Sequence, residues 1–164
     1  MRSFVLWLVL IGGAYVLQAS LLPLIAYHRI TVDLLLLLTL SVGFFRGTRF
    51  GAFVGFMAGL LQDLAVGSFF GVNILSKMLI GFCCGTFANR IFKEQFFLPL
   101  FASLAATIMN YFIFVAIMLL LGYRFNLLAH LQMTLLPMVV YNVIFAVPVH
   151  RIVYMFNEYV REKK

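Results

Sequence analysis

Residues 47–71 read GTRFGAFVGFMAGLLQDLAVGSFFG, and one register runs through them: Gly47, Gly51, Gly55 and Gly59, then Asp63, Gly67 and Gly71, each four positions after the last. Each step of four overshoots one helical turn by about 40°, so the row forms an inclined ridge rather than a straight face. Most of the residues between are apolar. A ridge without side chains lets helix backbones approach closely in lipid, where dispersion and interhelical hydrogen bonds replace the hydrophobic drive. The stretch therefore reads as a membrane-spanning helix steeply crossed with a neighbour, and Gly67 and Gly71 lie in the short uncharged turn that returns the chain.

The following segment carries a matching row, Asn73, Lys77, Gly81, Gly85 and Asn89, again every fourth residue. Gly51, Gly55, Gly59, Gly67, Gly71, Gly81 and Gly85 are thus the candidate packing residues, within the protein or against a partner helix, with internal packing the expected role. Asp63 lies about one turn into the membrane and Lys77 about two. An ionised group at that depth costs several kcal/mol and normally faces the bundle interior and pairs. Asp63 and Lys77 are accordingly expected to face each other or a shared polar site, either as a pin for the hairpin, as part of an ion or substrate path, or as a polar spot for a partner.

Working outward, the 164 residues are 65% hydrophobic and 10% charged, with a mean hydropathy of +1.10. Soluble domains hold about 45–50% apolar and about 25% charged residues, so a water-soluble core is excluded. Charged and Gly/Pro-rich breaks divide the chain into six apolar segments, at about 3–23, 30–46, 50–66, 70–89, 95–121 and 129–149. The expected fold is all-α, a single bundle of six transmembrane helices filling residues 1–164 as one domain. The second and third segments are short for a bilayer and meet at a tight turn, Arg46-Gly47-Thr48-Arg49, which tilt, local thinning or a re-entrant shape would accommodate.

Basic residues accumulate on the cytoplasmic side of membrane proteins. With the N-terminus inside, the inside set is Arg2, Arg46, Arg49, Arg90, Lys93, Arg151, Arg161, Lys163 and Lys164, while Arg29 and Arg124 alone fall outside. Nine against two places both termini in the cytoplasm, an assignment that five spans would spoil. The net charge of +7 is therefore a topology signal. It is not a nucleic-acid surface, which would need a patch interleaved with polar side chains. The N-terminus resembles a signal peptide, but the small-x-small site at Leu17-Gln18-Ala19 is poorly formed and an uncleaved first helix is expected.

Residues 150–164 form a basic tail, with apolar residues at 152, 153, 156, 159 and 160 and Arg151, Arg161, Lys163 and Lys164 at the rim. It is expected to be a helix lying on acyl chains and anionic lipid headgroups, a dock for a cytoplasmic partner, or a solvated continuation of the sixth span. Other intramembrane polar groups are Gln18 and Ser20 in the first span, Ser103, Thr107 and Asn110 on one face of the fifth, and Thr134, Tyr141 and Asn142 in the sixth. With Asp63, Lys77 and Asn73, the asparagines Asn110 and Asn142 complete the candidate polar site, and interhelical hydrogen bonds are the default account of them.

Chemistry has little to stand on. Asp33 and Asp63 belong to different segments, and Asp33 reads as interfacial. His28, His130 and His150 are scattered near span ends without metal-ligand spacing, and no Ser/His/Asp set or nucleophile elbow occurs. The adjacent Cys83 and Cys84 suit neither a disulfide nor a zinc site and read as packing residues. No enzyme activity, cofactor or metal is expected.

The pattern Gly55-x-x-x-Gly59-Leu60-Leu61-x-Asp63, followed by Gly67-x-x-x-Gly71-Val72 and another apolar span, resembles the rod shape-determining protein MreD family. The resemblance extends to chain length, six spans, the basic C-terminus and the entry from Arg29 to Leu38 into span two. It implies a noncatalytic, multi-pass component of the bacterial inner membrane in the cell-elongation machinery. The implied partners are an MreC-like bitopic scaffold and, through the complex, the MreB filament and a RodA-type glycosyltransferase with its transpeptidase. The rival is a vitamin-capturing subunit of an energy-coupling-factor transporter, also of six spans. Those share an Ala-x-x-x-Ala patch in the first helix, whereas Ala14 and Ala19 here are not at that spacing.

Overall fold

The computed structural model describes residues 2–26, 30–67, 70–88, 98–124 and 126–162. The elements are α1 (Arg2–Ser20), a 3-10 turn (Leu22–Ile25), α2 (Leu34–Arg46), α3 (Thr48–Val66), α4 (Val72–Phe87), α5 (Leu98–Leu120), the short α6 (Leu127–His130), a π-helical turn (Leu131–Leu135) and α7 (Leu136–Glu162). The last three run on without a break, so the described residues form six helical rods. Four of them are long and apolar enough to cross a membrane, and α2 and α4 are the shorter two. Arg29, Asn89, Arg90, Lys93, Lys163 and Lys164, as well as His28, lie outside the described residues.

α2 is the axis of the bundle. Every residue from Leu35 to Phe44 is buried, because α1, α3, α4, α5 and α7 all pack against it. Its hydroxyls are kept from costing anything by local bonds: Thr39 donates to the Leu35 carbonyl (2.7 Å) and Ser41 to that of Leu37 (2.8 Å). At 13 residues and about 1.5 Å per residue, α2 is only about 20 Å long. The hydrocarbon core is about 30 Å thick. Helix α2 starts at Leu34 rather than at residue 30 as the sequence suggests, with Val32 and Asp33 already buried.

The glycine rows meet in one antiparallel register. The α3 backbone lies against that of α4 at Gly47–Thr48 with Gly85, Gly51 with Gly81, Gly55 with Lys77, and Gly59 with Asn73–Ile74. Each step of four along one helix is matched by a step of four back along the other. A β-carbon on Gly51 would sit 2.5 Å from the Gly81 carbonyl oxygen and 2.7 Å from the Cα of Gly43, a glycine of α2. Three backbones therefore cross at Gly43, Gly51 and Gly81. Gly67 (φ 68°) and Gly71 (φ 103°) do a different job: no atom lies near where their β-carbons would be, and their left-handed backbones make the turn between α3 and α4.

The start of α1 and the end of α7 lie at one end of the bundle. Arg46, the last residue of α2, stacks its guanidinium over Trp7 of α1 (5.5 Å) and Phe50 of α3 (5.3 Å), and its Nε donates to Asn157 Oδ1 of α7 (2.6 Å). Trp7 also meets Phe156 edge-on, with centroids 5.0 Å apart. Helix α7 therefore does not end near Pro148. Residues 150–162 continue it as part of the bundle, with Val153, Asn157 and Val160 buried. A proline removes one backbone bond, and in a packed membrane helix the neighbours absorb that loss.

Candidate functional site

At the opposite end, two helix N-termini need partners for the N–H groups that no helical bond satisfies. At the start of α4 the partner is Asp63. Because Asp63 occupies the glycine register one turn beyond Gly59, its carboxylate reaches over the end of the neighbouring helix. Oδ2 accepts from the N–H of Gly71 (2.8 Å) and Ile74 (3.1 Å), and Oδ1 accepts from the N–H (3.2 Å) and the side-chain amide (2.8 Å) of Asn73. An anion at a helix N-terminus is favoured by the dipole as well as by these bonds.

At the start of α2 the partner is Asp33. Its Oδ1 accepts from the Leu36 N–H (3.0 Å), and its Oδ2 accepts from Lys77 Nζ (2.8 Å), with the lysine side chain fully buried. Lys77 therefore pairs with Asp33 rather than with Asp63. Asn73 links the two carboxylates, since its amide donates to Asp63 and its Oδ1 lies 3.5 Å from Lys77 Nζ. Asp33, at the start of its apolar segment, sits within the bundle at 6% exposure.

The network extends through α7 to α5. The Asp33 N–H donates to Asn142 Oδ1 (2.8 Å), Asn142 Nδ2 donates to Thr107 Oγ1 (2.9 Å), and Thr107 donates to the Ser103 carbonyl (2.7 Å). Gln18 of α1 accepts from the Leu35 N–H (3.2 Å) at the same helix start. Thus Asp63, Asn73, Lys77 and Asn142, from the expected polar set, belong to one connected system with Asp33 at its centre. Asn110 does not join it.

Beside this network lies a recess of about 300 Å³ between α3, α4, α5 and the π turn, with Asp33 in its wall. Gln62, Asn73, Ser76, Asn110 and Thr134 also line it. The π turn, in which the Leu136 N–H reaches back to the Leu131 carbonyl, precedes Pro137, whose ring would clash with a carbonyl four residues earlier in a regular helix. The resulting bulge brings Thr134 into the wall. Among the described residues, no group of three or more His, Cys, Asp or Glu side chains could hold a metal ion.

Sequence reasoning missed Asp33 and Gly43. The signal for Asp33 was present, because an aspartate directly before five leucines is an N-cap. Its ion-pair partner lies 44 positions away on another helix, and no spacing rule reaches that far.

A family model for the rod shape-determining protein MreD matches residues 1–160. No curated protein sequence and no solved structure gives a significant match. The matched range takes in all of α1–α6, the glycine register, both capping carboxylates and nearly the whole of α7. The chain belongs to the MreD family of bacterial membrane proteins, structural components of the rod-shape determining system rather than members of a known enzyme family.

Proposed function

We propose that this protein serves in the inner membrane as a noncatalytic helix-packing module of the cell-elongation machinery, binding an MreC-like bitopic scaffold within the bilayer. Family membership over residues 1–160 carries this reading. The architecture supports it: the described residues are almost entirely helix, with polar groups engaged in holding helices together. Through the scaffold, the protein joins the MreB filament and a RodA-type glycosyltransferase with its transpeptidase.

The bundle end with Arg46, Trp7 and Asn157 faces the cytoplasm in this reading, because the basic residues Arg46, Arg49, Arg151 and Arg161 gather there. The exposed side of the α7 extension, with Ile152, Met155 and Tyr159 beside Arg151, then lies at the level of anionic headgroups. Since α3 and α4 use their glycines on each other, the scaffold's helix meets another, lipid-facing side of the bundle.

The test is isolation of the tagged full chain from native membranes in mild detergent, together with depletion in the cell. Co-isolation of a bitopic coiled-coil scaffold and rounding of depleted cells are expected. Intact rod shape after depletion, or a preparation free of scaffold, would remove the reading.

A further inference from the structure

The recess beside Asp33 contains hydrogen-bonding groups that the protein leaves unused. Asn110 is 8% exposed, lines the recess, and its carboxamide bonds to no described residue. Gln62 Oε1, in the same wall, is a buried acceptor without a donor. Leaving a buried acceptor such as Gln62 Oε1 unpaired costs about 1–3 kcal/mol, and the Asn110 amide faces the recess. Both are positioned for a ligand.

The lining also fixes the class of ligand. Lys77 matches the Asp33 carboxylate, and four N–H groups hold that of Asp63. Among the described residues of the wall, these matched charges leave neither carboxylate to attract a lone ion into a low-dielectric place, where a lone charge is strongly disfavoured. The wall offers a donor and an acceptor in Asn110 and an acceptor without a donor in Gln62, and the aromatic rings of Tyr111 and Phe114 form part of it. A volume of about 300 Å³ is at the small end of ligand pockets. These features match one neutral ring that carries hydroxyl or amide groups at its edge and C–H groups on its faces. We infer that the recess binds the neutral sugar-like head of a small molecule, held by Asn110 and Gln62 against Tyr111 and Phe114. The head arrives either as a free saccharide or on a lipid.

The experiment uses the full chain in lipid nanodiscs, with Cys83→Ser and Cys84→Ser to silence the native thiols and Thr134→Cys to place one in the wall. A polar thiol reagent reports the reaction rate, first alone and then with either of two probes, N-acetylglucosamine in solution or monoglucosyl diacylglycerol in the disc. The expected result is a several-fold slowing by at least one probe, lost on adding Asn110→Leu, with Gln62→Leu as the second variant should the first not yield a monodisperse protein. Protection by the free sugar identifies a solute site. Protection by the glycolipid alone identifies a lipid-head site. A thiol that does not react, a rate unchanged by both probes, or protection that survives both substitutions overturns the proposal. None of these outcomes bears on co-isolation of the scaffold, so this inference and the proposed function fail separately.

Discussion

Lys77 and Asp33 show how a charge is made tolerable in the membrane interior. The ammonium meets a carboxylate whose other oxygen is held by a helix N-terminus, and the backbone N–H of the same aspartate is fixed by Asn142. Replacing one partner leaves the other ionised and alone, at a cost of about 3–5 kcal/mol. Lys77→Met is therefore expected to lower the thermal midpoint of the purified protein far more than Lys77→Met combined with Asp33→Asn, which keeps the cap on Leu36. Equal losses would show that the pair does not hold α2 to α4. Asp63→Asn is milder, because one oxygen can still accept while its new amide faces N–H groups. It should cost about 1–2 kcal/mol and speed hydrogen exchange at residues 71–74. Asp63 and Asn73 were legible in the sequence because both fall in the four-residue register of their own hairpin. Thr107 was legible as a polar group on one face of the fifth span, but its partner Asn142 and the place of Asp33 at the centre were not, since those meet only through tertiary packing.

Between elements, the glycines separate into two kinds by what surrounds them. At Gly81 a β-carbon would run into the Gly51 carbonyl, a backbone group that cannot rotate away, whereas at Gly12 nothing lies within 4 Å. Gly81→Ala should cost about 1–3 kcal/mol by forcing α3 and α4 apart, and Gly12→Ala should leave the thermal midpoint unchanged. Similar midpoints for the two would remove the close crossing as a source of stability. Gly67→Ala belongs to the turn, where a left-handed backbone costs a non-glycine residue about 1–2 kcal/mol. The α3–α4 register could be read from spacing because both rows lie in consecutive segments. The third participant, Gly43, also stands in the row, four residues before Gly47; what spacing does not show is that the chain breaks at Gly47 and folds Gly43 back against Gly51.

For the molecule as a whole, the C-terminal segment is a structural part. The sequence suggests a boundary near residue 150, where Pro148, a histidine and an arginine interrupt the apolar run, but the interior partners of Val153, Phe156 and Asn157 lie on α1 and α2 and leave no trace in the local pattern. Deleting residues 153–164 should expose Trp7, strip Arg46 of Asn157 and lower the thermal midpoint of the isolated protein. An unchanged midpoint would return the segment to a peripheral role. Six helices were readable from hydropathy; their arrangement around α2 was not, because every segment is apolar and the pattern does not say which one is enclosed. That enclosure bears on how the chain enters the membrane. A helix of 13 residues falls short of the about 20 needed to span by itself, and here it has almost no surface for lipid to wet. It is joined to α3 through Gly47 alone. Its burial is thus a product of packing rather than of partitioning: α1, α3, α4, α5 and α7 together shut α2 away from the bilayer.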